Sequence, residues 1–340
     1  MSRNKYIAIL IIGLLISYQM VRIVVFVNEY GSVEHDGGWA LGVSRSVAER
    51  GVYTSLTSTL VDPHIRSGLN YDHQFTIQDT TGREYFFIGN TMGPGTVLPN
   101  ALILKLLGTG FWQSRLGPLL FFLFFLILAS VMLYYLEGLV SVVILHLYLF
   151  FFPQIYIFLG YEALGEMPSM VYLLVSFGLF IAAIETKKRS TTFFFASGVL
   201  MGLAIHTRFA TLIAFGGFIA VWFILYRQGK LTFKTPLLVA SGFLLVTILW
   251  QLYVFISLMQ VSSFPEYLNH AWGQIEFFYR SVKGITPVAE GLELFLLKAI
   301  ILSEISYSHV LVSFLLVLVL IFEPTFFFRS AFFTTPNWQW

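Results

Sequence analysis

Long apolar runs separated by short polar links govern this chain from Tyr6 onward. A helix needs about 20 mostly apolar residues to cross roughly 30 Å of hydrocarbon. The run 6–27 reaches that length with Arg22 as its one charged residue. Further runs at 116–136, 139–159, 167–184, 193–206, 209–226, 236–259 and 308–322 bring the predicted spans to about eight. The ten-residue alternation of barrel strands is nowhere sustained. The expected fold is therefore an all-α polytopic membrane bundle forming one domain over 1–340. A basic start followed by an apolar run suits a signal peptide, yet Ser17, Tyr18, Gln19 and Arg22 interrupt it and no small-residue cleavage site follows. The run is expected to remain as a first span.

Two stretches break the apolar pattern. Residues 28–115 hold all four Asp, four of the seven Asn, nine of the 21 Thr and three of the seven His, and 260–293 carry Pro265, Trp272, Glu276, Arg280 and Pro287. Inside the first stretch, 37–50 puts Trp39, Val43 and Val47 on one helical face and Arg45, Glu49 and Arg50 elsewhere, with Asp36 as the expected N-cap and Gly51 as the stop. The segments 73–77 and 83–87 flank Asp79-Thr80-Thr81-Gly82 and predict a hairpin. Residues 92–107 are apolar but short, and they carry Pro94, Pro99 and Lys105. Charge decides their placement, because short cytoplasmic loops collect Lys and Arg. If 92–107 lies flat on the membrane, Arg3, Lys5, Lys187, Lys188, Arg189, Arg227, Lys230 and Lys234 all fall inside. If it crosses, the later ones fall outside. Two interfacial helices in an extracytoplasmic first loop, 28–115, are thus expected, with 260–293 as a second extracytoplasmic segment.

Composition agrees and narrows the chemistry. With 57% hydrophobic, 18% aromatic and 11% charged residues, the 340-residue chain is not a water-soluble globule. The lack of cysteine removes disulfides, thiolate catalysis and cysteine-ligated metal. A net charge of +2 without a basic block argues against nucleic acid as a partner. Phe is abundant and suits lipid-facing and packing positions, and Trp39, Trp112 and Trp272 suit the interface belt. The acidic groups gather at the membrane surface around Glu34-His35-Asp36, where a carboxylate at a helix start can meet a hydroxyl substrate from water and a lipid-borne partner from the bilayer.

Several motifs occur in a familiar order. An acidic motif opens a helix closing in Gly51-Val52-Tyr53; Gly82-Arg83-Glu84-Tyr85 leads to Gly93-Pro94-Gly95 and a flat helix; Phe111-Trp112-Gln113-Ser114-Arg115-Leu116 opens the next span. Residues 160–168 look like an acidic second outer loop, and Gly202-Leu203-Ala204-Ile205-His206-Thr207-Arg208 is similar to a Gly-Leu-Ala-x-x-Thr-Lys/Arg segment. Over about 6–226 the chain resembles the GT-C membrane glycosyltransferases, in particular the protein mannosyltransferase and aminoarabinose transferase branch. Gly37 stands where that family commonly carries an Asp-Glu pair.

The resemblance implies inverting transfer of a sugar from a polyprenyl-phosphate donor to a lipid, glycan or protein acceptor at the extracytoplasmic face of the membrane. It makes Asp36 the general base, set against a plain helix cap, and it leaves Glu34 to assist or to stand as a solvated loop acid. Glu166 matches the acidic position of the second loop, with Glu162 beside it. Acceptor binding, orientation of a donor sugar hydroxyl and a divalent metal shared with Asp36 all suit Glu166, as does simple stabilisation of a helix N-terminus. A leaving lipid phosphate needs a cation. Arg208 is the first candidate, with Arg115 and Lys105 behind it as headgroup anchors or donor ligands. His206 suits either the phosphate or an interhelical hydrogen bond. No cofactor is assigned, and His35, Asp62, His64, Asp72 and His73 form a metal set by residue type only. A lipid-linked sugar flippase and a noncatalytic scaffold are the rivals. Convergence of Asp36, Glu166 and Arg208 on one outward cavity favours the enzyme.

Overall fold

The computed structural model describes residues 3–30, 35–53, 55–56, 76–78, 84–86, 93–152, 160–186, 190–208, 211–260, 263–265 and 268. The described chain forms α1 (Arg3–Tyr30), α2 (His35–Arg50), β1 (Ser55–Leu56), β2 (Thr76–Gln78), β3 (Glu84–Phe86), α3 (Pro94–Leu107), α4 (Phe111–Glu137), α5 (Leu139–Phe151), α6 (Glu166–Glu185), α7 (Ser190–Thr207), α8 (Leu212–Arg227) and α9 (Lys234–Met259). Five helices, α1, α4, α6, α7 and α9, are long and apolar enough to cross a membrane; α3, α5 and α8 supply shorter apolar helices. The expected span at 308–322 and nearly all of 260–293 lie outside the described residues.

Large apolar side chains cover the outside of the bundle as well as its core, and several polar ones are buried. Leu10, Leu14 and Val21 on α1, Phe124 on α4 and Ile248 on α9 face outward, while Gln19, Ser130, His146, Ser176 and Ser197 are buried between helices. That is the pattern expected when lipid replaces water outside and polar side chains must find partners inside. Gln19 Nε2 donates to the His146 carbonyl at 3.0 Å, joining α1 to α5, and Ser130 Oγ lies 3.0 Å from His146 Nε2, joining α4 to α5. Ser176 and Ser197 share a hydroxyl contact at 3.0 Å between α6 and α7.

Close packing sets the helix directions. A methyl group at Gly198 would overlap the Val239 carbonyl, and one at Gly242 would overlap that of Phe195, so α7 and α9 touch backbone to backbone. Contacts then advance together from Gly198–Val239 through Gly202–Val246 to His206–Thr247, so the two helices run parallel. Consequently α8 and the turn after it return the chain from one end of the bundle to the other. Leu225 and Leu231 accordingly pack in one cluster with Ala183, near the far end of α6. The α4–α5 hairpin turns at Gly138, whose φ of 86° favours glycine. Arg227, Lys230 and Lys234, together with the start of α1, therefore share the end of the bundle opposite the 160–166 loop.

α2 and α3 cover the end holding that loop. The C-terminal turn of α2 docks on α9: Tyr253 donates to the Gly51 carbonyl at 3.2 Å, Tyr53 N–H donates to Ser257 Oγ, and the Tyr53 and Trp250 rings meet edge-on at 5.0 Å. Burial pushes the Tyr53 phenol upward, so it serves as a neutral packing group. Gly51 stops α2 as expected, with φ 74° and a 2.9 Å bond from its N–H to the Val47 carbonyl. The start differs by a residue or two: α2 begins at His35, so Asp36 falls in the first turn rather than at the cap.

α3 begins with Pro94 after Gly93, at the predicted Gly-Pro-Gly turn. Its 14 residues extend only about 21 Å. Gly95 N–H donates to Thr207 Oγ1 at 2.9 Å and the Gly95 carbonyl accepts from Tyr172 at 3.2 Å, while Asn100 packs on Gly117 near the start of α4. Helix α3 therefore stays at this end of the bundle. Strands from both arms of the predicted hairpin pair, β2 antiparallel with β3 and Ile77 opposite Tyr85, and β1 adds to the other edge of β3; the turn at 79–83 lies outside the described residues.

Candidate functional site

The 160–166 loop is held from three sides. Gly160 packs under Ile23 and Phe122, with no room for a side chain. Gly165 lies so close to the Thr207 carbonyl that a methyl group there would overlap it. Between these points the loop turns two carboxylates inward, Glu162 at 1% exposure and Glu166 at 7%.

Each carboxylate has its own arginine. Arg115, in the second turn of α4 and fully buried, places Nη1 3.7 Å from Glu162 Oε1 and donates from the same nitrogen to the Tyr161 carbonyl at 3.0 Å. Its guanidinium also lies over the Tyr161 ring at 5.1 Å and the Phe111 ring at 5.6 Å, which fixes its plane. Arg208, just past the end of α7, places Nη2 2.7 Å from Glu166 Oε1. This second pair is asymmetric, with the Arg208 side chain 28% exposed and that of Glu166 9%. Glu166 Oε2 is buried without a hydrogen-bond partner among the described residues.

Helix α2 enters the same cluster through its first turn. A side chain at position 37 would overlap the Glu162 carboxylate and press on the Ala163 N–H. The Glu162 carboxylate thus occupies the space of the missing side chain, against the backbone beside Asp36. On the α7 side, Gly93 and Gly95 pack against His206 and Thr207. The first turns of α2, α3 and α4, the 160–166 loop and the end of α7 therefore meet at one end of the bundle. The chain matches no protein-family model, and no curated protein matches it significantly.

The sequence-derived candidates divide as follows. Arg115, Glu162, Glu166 and Arg208 come together as two ion pairs. The backbone of Asp36 adjoins them through Gly37; its side chain and the whole of Glu34 lie outside the described residues. Lys105 is exposed on the last turn of α3 and joins neither pair. His206 turns away to α9, with Nε2 2.8 Å from Thr247 Oγ1. Because the Thr247 hydroxyl donates to the Phe243 carbonyl at 3.1 Å, His206 is the donor in that contact. This is the interhelical role. Of the five-residue metal set, the His35 side chain and residues 62, 64, 72 and 73 lie outside the described residues. Among the described residues no three ligating side chains form a group.

Sequence reasoning missed two contributors. Thr207 anchors α3 through its hydroxyl and the acidic loop through its carbonyl, and Gly37 leaves room for Glu162. The Gly-Pro-Gly start of α3 was a visible signal for the first. Nothing in the local pattern marked the second.

Among the described side chains, the cluster combines two carboxylates and two guanidiniums as two ion pairs. The Arg115–Glu162 pair is sealed and suits positioning. The Arg208–Glu166 pair presents its cation toward the outside and keeps its acid within, which suits recognition of an anion.

Proposed function

We propose that the protein transfers a sugar from a polyprenyl-phosphate-linked donor to a lipid, glycan or protein acceptor, with inversion, at the extracytoplasmic membrane face. The observation that carries this reading is the convergence of the Asp36–Gly37 turn, Glu162, Glu166, Arg115 and Arg208 at one end of an apolar helical bundle. Arg3, Lys5, Arg227, Lys230 and Lys234 belong to the opposite end, which supports an extracytoplasmic orientation of the acidic end. A bundle of about eight spans with the GT-C arrangement belongs to the same proposal.

Asp36 acts as the general base in this mechanism. It takes the proton of the acceptor hydroxyl as the bond to the anomeric carbon forms and the bond to the phosphate oxygen breaks. Arg208, half-buried at the rim, binds the departing lipid phosphate, where a guanidinium meets phosphate oxygens bidentately. Arg115 and Glu162 hold the loop against α2 so that the base and the phosphate ligand keep their separation. Glycolipid mass spectrometry on cells lacking the gene, complemented with wild type or Asp36→Asn, tests the proposal. Accumulated donor and missing product in the deletion and in Asp36→Asn are the expected result. An unchanged profile in the deletion removes the transferase reading.

A further inference from the structure

We propose that Glu166 is an exchangeable counter-ion: its carboxylate holds Arg208 until a phosphate group takes its place. The inference deepens the transferase reading and rests on it for the identity of the phosphate carrier, while the exchange itself rests on geometry. Glu166 Oε1 lies 2.7 Å from Arg208 Nη2, so the guanidinium is neutralised before any ligand arrives. An anion that takes the Nη2 edge of the guanidinium must displace or share that carboxylate. The two partners are unequally placed for this. Arg208 is the more exposed, and it directly follows the last residue of α7.

Glu166 sits in the first turn of α6, where the helix dipole favours negative charge and a carboxylate is stabilised without its arginine. Its second oxygen, Oε2, is buried and unpartnered, and a substrate hydroxyl donating to it would compensate the carboxylate once Arg208 has turned to phosphate. Thr96, also buried with an unpartnered hydroxyl, follows Gly95, which bonds Thr207 next to Arg208. Glu166 Oε2 is therefore an unfilled polar atom on a carboxylate whose other oxygen already holds Arg208, and Thr96 Oγ1 is a second unfilled atom in the first turn of α3. Exchange accounts for this combination better than a purely structural salt bridge, which favours complete satisfaction of both partners. Phosphate binding would thereby be coupled to release of a carboxylate that can receive a hydroxyl. The site would rearrange only when the phosphate arrives.

The test measures binding of a medium-chain prenyl phosphate to the full chain in nanodiscs of neutral lipid. Inorganic phosphate and phosphatidylglycerol in the bilayer serve as parallel probes, and thermal unfolding monitors the fold of each variant. Glu166→Gln is expected to bind prenyl phosphate about tenfold more tightly than wild type, the scale of one charge pair removed from competition. Arg208→Ala is expected to lose binding, and Glu166→Gln/Arg208→Ala to resemble Arg208→Ala. A Glu166 needed only to keep this end of the bundle folded predicts equal or weaker binding on its loss, so the sign carries the test. Equal or weaker binding by folded Glu166→Gln overturns the proposal, as does absence of phosphate binding in both wild type and Glu166→Gln. Should Glu166→Gln fail to fold, Glu166→Asp, with its shorter reach to Arg208, carries the same expectation of tighter binding. Preference for prenyl phosphate over the two other probes assigns the phosphate to a prenyl carrier; equal response to inorganic phosphate supports the same exchange with a free anion. Exchange without sugar transfer in cells would leave this inference standing and remove the transferase.

Discussion

Replacing Arg115 with methionine removes a guanidinium from a carboxylate that stays fully buried. The 3.7 Å separation corresponds to an attraction of about 4.5 kcal/mol at an effective dielectric constant of about 20. Arg115 also donates at 3.0 Å to the Tyr161 carbonyl, and a hydrogen bond from a charged donor contributes about 1.5–3 kcal/mol. These gains are offset by the desolvation of both ions, so they do not sum to a stability. Removing one partner of a buried pair costs about 3–5 kcal/mol, chiefly because the other charge remains in a poor solvent. Arg115→Met is therefore expected to lose about 3–5 kcal/mol. Arg115→Met/Glu162→Gln should recover about 2 kcal/mol or more, because no charge is then left behind. Reversible unfolding in mixed micelles, followed by circular dichroism, gives both values and their coupling energy. A loss below about 1 kcal/mol in Arg115→Met, or no recovery in the double variant, would refute the argument that this pair fixes the acidic loop to α4.

Four other outcomes are expected. Asp36→Asn should lower sugar transfer at least about 100-fold with normal membrane insertion, measured by product formation from a prenyl-phosphate-sugar donor; retained activity would dismiss Asp36 as the base. Gly93→Ala should destabilise the protein by about 1–3 kcal/mol or prevent its folding, since the added methyl overlaps the His206 carbonyl and backbone must move; thermal unfolding of purified protein measures this. Gly37→Ala forces the Glu162 carboxylate out of its place, so it should weaken the Arg115–Glu162 coupling in the same double-variant cycle. His206→Ala should cost about 1 kcal/mol through the lost bond to Thr247 while prenyl-phosphate binding persists; loss of binding in a stable variant would return His206 to the site.

The sequence by itself determined the membrane class, because apolar runs of sufficient length have few other uses. It placed the helices at α1, α4, α6, α7 and α9, the stop of α2 at Gly51, the start of α3 at Pro94 and the β2–β3 pair, each through a local rule of length, turn chemistry or alternation. It also named Glu162, Glu166, Arg115 and Arg208 as charges that a bilayer boundary must accommodate. Only the tertiary structure decided the pairing of Glu162 with Arg115 and Glu166 with Arg208, and the turn of His206 toward Thr247. Periodicity specifies which face of a helix is polar, whereas a salt bridge depends on where helices distant in sequence come within a few ångströms. Here that approach is set by close contacts at Gly37, Gly95, Gly165 and Gly198, and glycine carries no hydrophobic signal by which a linear pattern reveals its neighbour.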